Sequence, residues 1–363
     1  MFLTSLKLLN FKNYRQAAFE FTRKFVLING PNGSGKTNLI DAIYYLCLCR
    51  SYFTRSDNLS PRHGENFFRL DGDFRNADEF TITCKFQNNK KEFFFNNVVY
   101  DRLSDHIGLI PVVMVAPDDI AIINDGSEER RRFLDAALSQ HNHEYLRQLI
   151  IYNKVLQQRN AALKRFYEER RIDDALLGVL NHQLATAGNV IYEIRKDYIA
   201  GFTEIFKKHY LAISGQTEIP GIVYESQLHE GDQLHLLLHN VKTDLEAQRT
   251  TFGIHKDDLV FSLDAFLLRD TGSQGQIKSF LIALKLAQFE MIRNATGKQP
   301  VLLLDDVFEK LDKNRLHVLF NMLTSSEFGQ IFITDADEER SRGFFEEAYI
   351  DYDHLTIDNK QFD

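Results

Sequence analysis

The sequence predicts an α/β protein in which a helical segment interrupts the sheet-forming chain. Three observations predict it. A short apolar run at residues 25–28 leads into a glycine-rich turn and then a stretch with helical spacing. A second apolar run, Val301-Leu302-Leu303-Leu304, ends in two carboxylates. Between them, residues 128–210 contain no Pro, sparse Gly and a helical period.

The first run carries the sharpest signal. Gly30-Pro31-Asn32-Gly33-Ser34-Gly35-Lys36-Thr37 fits the phosphate-cradling pattern of Gly, four free positions and Gly-Lys-Ser/Thr. Leu39, Ile43 and Leu46 follow at helical spacing. Strand, glycine loop and helix is the context that the motif requires. Glycines let the backbone approach a ligand, and amides at a helix N-terminus suit phosphate oxygens. Lys36 would supply a point charge to the outer phosphates, and the Thr37 hydroxyl could ligate Mg²⁺.

Bulk composition bounds the rest. At 363 residues two domains are expected, and 44% hydrophobic with 26% charged residues is ordinary globular composition. A net charge of −8 excludes a chain-wide basic footprint, so any DNA contact needs a local basic face or a groove built by two chains. Cys47, Cys49 and Cys84 make no Cys-x-x-Cys pair and read as reduced thiols. The first residues alternate like a strand rather than a signal peptide, and no apolar run is long enough to span a membrane. A soluble, cytoplasmic protein is expected.

Along the chain, Phe2, Leu6 and Leu8 suit an early strand, with a polar turn at Lys12-Asn13-Tyr14-Arg15. Residues 67–100 alternate in short bursts punctuated by Asn88-Asn89 and Asn96-Asn97, which predicts antiparallel hairpins. Ile110-Pro111-Val112-Val113-Met114-Val115 reads as a strand. In the helical segment, Leu149, Leu156 and Leu163 stand seven apart, and Leu177, Leu180, Leu184, Ala187, Ile191, Ile194 and Tyr198 step by threes and fours. This spacing predicts an antiparallel helical hairpin with its tip near Arg170 to Asp174; coiled-coil packing and a plain helical subdomain both fit. Residues 218–226 read as a strand and 232–246 as a helix. Domain bounds of 1–116 with 248–363, and 117–247 for the insert, follow.

The second half of the chemistry lies late in the sequence. Ligands bind beyond the carboxyl ends of buried parallel strands. Asp305 would help hold Mg²⁺ there, and Asp306 could orient or deprotonate a water. Upstream, Ser273 with Gln276 makes a capping-box pattern before a helix bearing Ile277, Phe280, Leu281 and Leu284. A plain cap and a phosphate-reading helix end are both consistent with it. Because one chain already has a cradle, a second phosphate-reading element makes most sense on the nucleotide of another subunit.

Together these segments resemble the Walker A, signature and Walker B motifs of ABC-type ATPases. Within that class the chain resembles the RecF family of bacterial recombination mediators. The resemblance runs nearly end to end. It includes Leu8-Leu9-Asn10-Phe11-Lys12-Asn13-Tyr14, Pro117-Asp118-Asp119, Arg131-Arg132-Phe133-Leu134-Asp135, Gln158-Arg159-Asn160 and Gly253-Ile254-His255-Lys256-Asp257-Asp258-Leu259. It implies a P-loop ABC-type ATPase head with a mixed sheet, an antiparallel β subdomain and an inserted helical hairpin. It also implies ATP and Mg²⁺ as ligands. Residues 30–37 would bind phosphates, Thr37 and Asp305 would serve the metal, and Asp306 with Lys36 would be catalytic. Ser273, Gly275 and Gln276 would contact a partner's ATP. Implied partners are duplex, gapped, junction or single-stranded DNA, RecR and RecO, with RecA downstream, and a second copy bound ATP-dependently; no membrane is implied. Two departures stand out. Glu309-Lys310-Leu311-Asp312 replaces the usual Ser at the start of the D-loop, and Thr334-Asp335 stands where transporters have Thr-His, which implies slow turnover.

Other readings weigh against this one. His255 with Asp257 and Asp258 lacks a third metal ligand nearby in sequence. Arg130-Arg131-Arg132 fits either phosphate contact or a salt-bridged helix start beside Glu128 and Glu129. A P-loop phosphotransferase would need no signature element, and an SMC- or Rad50-type structural head would carry far longer arms.

Overall fold

The computed structural model describes residues 1–215, 218–307 and 313–358. The chain divides into two compact units: Met1–Asp119 with Ala212–Gln216 and Gln274–Asp363, and Ile120–Leu211 with Thr217–Ser273. Residues 248–273, placed by sequence texture with the first domain, therefore pack in the second. Their strand finds its partner in Pro220–Glu225, a long-range pairing that local texture does not report.

In the first unit, a five-stranded parallel sheet has the order Tyr352–Thr356, Phe25–Asn29, Ile331–Asp335, Val301–Leu304, Val112–Val115. Its three middle strands are wholly buried, which accounts for their uninterrupted apolar sequence. A second, antiparallel sheet begins with Phe2–Phe11, Tyr14–Glu20, Phe67–Arg75, Glu79–Gln87 and Lys90–Phe95. Its hairpins turn on Asn88-Asn89 (φ 51° and 61°) and Asn96-Asn97 (φ 47° and 65°). Two consecutive positive φ angles match the right-handed twist of a two-residue hairpin, and Asn tolerates them. The helix Lys36–Leu48 shares one hydrophobic core with strands of both sheets, and so lacks a polar face.

The second unit contains the helices Ser127–Ser139, His143–Glu169 and Asp174–Ser214, and a three-stranded antiparallel sheet. The two long helices form the expected hairpin, with Arg170 in the left-handed region (φ 53°) at its tip. Their register is antiparallel. Tyr145 meets Arg195, Tyr152 lies against Gly188, and Arg159 meets Asn181, so each contact steps by one heptad. The seam is therefore built on Tyr145, Tyr152, Arg159 and Phe166, all buried. The leucine series identified from sequence runs beside it, and only Leu163 of Leu149, Leu156 and Leu163 is buried. Residues 232–246 form two short helices, Gln233–His239 and Val241–Ala247, broken at Asn240.

Candidate nucleotide site

The parallel sheet brings the site together. Phe25–Asn29 and Val301–Leu304 both flank Ile331–Asp335, so their carboxyl ends emerge side by side with Thr334 between them. Residues 30–37 leave the first of these ends and enter the helix Lys36–Leu48. Pro31, Asn32 and Gly33 are exposed, while Ser34, Gly35 and Lys36 are buried.

Thr37 Oγ1 lies 3.0 and 3.1 Å from the two Asp305 carboxylate oxygens. The Thr334 hydroxyl donates to Asp305 Oδ1 at 2.6 Å and accepts the Asp306 amide at 3.0 Å. Asp305 is 2% exposed, and burial raises its carboxyl pKa above the usual carboxylate range. Hydrogen bonds from Thr334 and Thr37 and the Lys36 charge oppose that rise, while Asp118 adds to it. Asp306 adopts a left-handed backbone (φ 47°), which turns the chain sharply just after the strand.

The loop's own shape is compatible with a polyphosphate. Lys36 Nζ sits against Gly30 O at 2.7 Å and Pro31 O at 3.1 Å, folded back into the loop. Ser34 Oγ is buried with no hydrogen-bond partner among the described residues. A buried hydroxyl without a partner costs free energy that a phosphate oxygen would recover. A hydroxyl and a carboxylate 3 Å apart supply the hard oxygen ligands that Mg²⁺ takes. The residues present therefore fit ATP with Mg²⁺.

Sequence reasoning missed the clamp on this loop. Asn13 Nδ2 donates to Ser34 O at 3.1 Å, and Asn38 Nδ2 donates to Asn13 Oδ1 at 2.7 Å. The Tyr14 hydroxyl donates to Gly35 O at 3.0 Å. Gly35 has φ 109°, and a Cβ there would run into the Asn13 side chain, so two constraints require glycine. The motif Leu8 to Tyr14 signalled this only as a resemblance, because the hairpin reaches the loop through tertiary contacts.

Other singled-out residues fall into place. Ser273 is exposed, immediately before the helix Gln274–Thr296. Gly275 leaves room for Arg315, whose Nη1 would lie 2.7 Å from a Cβ there. Asp119 accepts from Lys285 Nζ at 2.8 Å, from the Ala116 amide at 2.7 Å and from the Tyr52 hydroxyl, tying this helix to the loop after Val112–Val115. Asp335, fully buried, is held by Arg340 Nη2 at 2.6 Å and Ser341 Oγ at 2.5 Å, so in place of a histidine it anchors the helix Glu338–Glu347. The D-loop departure at Glu309-Lys310-Leu311-Asp312 lies outside the described residues.

In the second unit the motif residues form a buried polar network. Arg195 reaches Asp257 at 2.7 Å, Asp135 at 2.8 Å and Ile254 O at 2.9 Å. Arg159 reaches Asp244 at 2.6 Å and Thr250 at 2.8 Å. Arg130 pairs with both Asp258 oxygens, Arg131 donates to Asp257 O, and Arg132 pairs with Glu128 and Glu129. The three arginines are thus salt-bridged or hydrogen-bonded within the fold. His255 bonds Tyr152 and Thr250 O, and burial pushes its pKa down to about 4. No cluster of three metal-ligating side chains occurs among the described residues.

The family described as "RecF/RecN/SMC N terminal domain" matches residues 2–349. The "DNA replication and repair protein RecF" of Flavobacterium johnsoniae is 44% identical over 354 residues, covering 97% of this chain and 99% of that one. The chain belongs to the RecF family. A second RecF relative, from Cytophaga hutchinsonii, is 39% identical over 99% of this chain and 95% of its own. The solved "recombination mediator protein RecF-ATP in RecFOR pathway" superposes with a TM-score of 0.86 at 31% identity, covering 93% of this chain and 92% of that one. The Smc head of Pyrococcus furiosus shares the fold, with a TM-score of 0.57 at 15% identity over 99% of this chain and 94% of that one. The RecF-family chain therefore has the ABC-type ATPase head architecture with an inserted helical hairpin. No helix among its described residues is long and apolar enough to cross a membrane.

Proposed function

We propose that this chain is an ATP-switched DNA clamp of recombinational repair. The observation that carries the reading is the Thr37–Asp305 contact at 3.0 Å, which unites the two motif halves across 268 residues of sequence. Residues 30–37 hold the phosphates, with Lys36 neutralising their charge. Thr37 and Asp305 would hold Mg²⁺, which would supply charge neutralisation to the phosphates. Asp306 takes a proton from the attacking water. Ser273, which is exposed, with the half-buried Gly275 and Gln276, presents a helix start to the ATP held by a second copy. ATP thereby closes a dimer on duplex, gapped or junction DNA, or beside a single strand, and hydrolysis opens it.

Hydrolysis is weak, because Asp335 is committed to Arg340 and Ser341 and leaves no histidine at that strand end, and a clamp that closes on DNA would make it DNA-stimulated. The likeness to RecF of the RecFOR pathway supports RecR and RecO as partners, RecA loading as the outcome, and a cytoplasmic location. Residues 1–116 with most of 274–363 would form the ATPase domain.

Light scattering tests the switch. ATP with Mg²⁺, but not ADP, should produce a dimer, and Ser273→Arg should abolish it while monomer ATP binding persists. A chain that stays monomeric with ATP and DNA present overturns the clamp. Asp306→Asn should trap the ATP-bound dimer; disassembly at the wild-type rate would remove Asp306 from the base role.

A further inference from the structure

The outward face of the helix His143–Glu169 has no role in the nucleotide site. Between Glu144 and Glu168 this helix contains no acidic residue, in a chain whose net charge is −8. Its one internal arginine in the seam, Arg159, is buried against Asp244. The other four cations, Arg147, Lys154, Lys164 and Arg165, are exposed. Arg147 pairs with Glu144 at the helix start, but Lys154, Lys164 and Arg165 have no ion pair among the described residues.

At 3.6 residues per turn, Arg147, Lys154 and Arg165 fall within about 20° of one line along the helix and span about 27 Å. Gln158, also exposed, lies within about 20° of that line. Glutamine, lysine and arginine are side chains that contact nucleic-acid phosphates. The row also sits on a stiff support, since the opposite side of the helix is locked by the heptad contacts to Gly188, Asn181 and Arg195. Like charges aligned along one exposed face raise the local positive potential, which favours a polyanion.

Resting on the clamp reading, we propose that this face binds the phosphate backbone of duplex DNA, with Lys154 and Arg165 as its principal contacts. The span approaches a helical turn of DNA, so the row can follow one groove edge without reading bases.

Equilibrium binding of a labelled duplex to the full chain, with ATP and Mg²⁺ across a salt series, tests it. Lys154→Glu with Arg165→Glu should weaken binding at least about tenfold. It should also lower the salt slope by about 2, as expected for two lost phosphate contacts. ATP-driven dimerisation and the far-UV spectrum should stay as in the wild type. Lys85→Glu with Lys90→Glu, which changes net charge equally on exposed residues of the other unit, should leave binding nearly intact. If the reversed chain misfolds, Lys154→Gln with Arg165→Gln should give a smaller loss of the same sign. An affinity and slope equal to the wild type overturn the proposal. So does an unchanged duplex affinity accompanied by lost binding of a protein partner. Wild-type protein that dimerises with ATP but binds no duplex would overturn the clamp reading itself, a result distinct from failure of this surface.

Discussion

The Thr334 hydroxyl donates to Asp305 at 2.6 Å while accepting the Asp306 amide at 3.0 Å. One side chain from the neighbouring strand thus sets the positions of both acidic residues. Thr334→Val removes the donor and leaves the Asp306 amide unsatisfied, at about 1–3 kcal/mol. We expect a higher Mg²⁺ requirement for tight ATP binding and hydrolysis reduced about tenfold, as for loss of about 1.4 kcal/mol of transition-state stabilisation. Thr334→Ser should restore both. Valine and wild-type chains with the same Mg²⁺ titration would show that Thr334 does not position the site.

Burial raises the Asp305 pKa, so in nucleotide-free protein its carboxylate form is disfavoured by the fold. For a carboxyl whose folded pKa lies above its unfolded value, ionisation costs stability as pH rises past the unfolded value. Asp305→Asn should therefore raise the melting temperature of the nucleotide-free protein near neutral pH, while Mg²⁺ ceases to tighten ATP binding. A lowered melting temperature would mean that the Thr37 and Thr334 hydrogen bonds outweigh desolvation. In the wild type, Mg²⁺-dependent binding should weaken as pH falls through the raised pKa.

Arg195 and Asp257 are each 1% exposed and joined at 2.7 Å. Removing one partner leaves the other charge buried. Arg195→Met should cost about 3–5 kcal/mol in urea unfolding, and Arg195→Met with Asp257→Leu should recover part of that loss. Nucleotide affinity at 25 °C should hold in any fraction that stays folded. A single-variant cost near zero would indicate that water replaces the guanidinium.

His255 is held neutral, with a pKa near 4 against about 6.5 in the unfolded chain. Between those values the unfolded state binds the extra proton, so stability falls as pH drops. We expect this residue to contribute about 1 kcal/mol of loss per pH unit over that window. His255→Gln should flatten the curve of urea midpoint against pH below 6.5. An unchanged slope would assign the acid sensitivity to other groups, such as His106, which is also pushed down to about 4.

The nucleotide loop, the acidic strand end and the helical insert were legible from residues alone. Each rests on a local rule: glycines where the backbone must turn, an apolar run where a strand is buried on both faces, and a 3.6-residue period where a helix packs. Sequence thus determined the family and picked out the candidate loop and carboxylates that the fold brings together. The tertiary structure decided which polar residues hold it in place. Asn13 clamps the loop from a hairpin 21 residues before it, and Thr334 joins the two aspartates from a neighbouring strand. On the helix His143–Glu169 it also moved the seam from Leu149 and Leu156 to Tyr145, Tyr152 and Arg159, while Leu177, Leu180, Leu184 and Ile191 on the following helix are buried as expected. A hydrophobic pattern cannot mark such residues, because a buried arginine is stable only where Asn181, Asp244 and Thr250 converge on it, and that convergence exists only after folding.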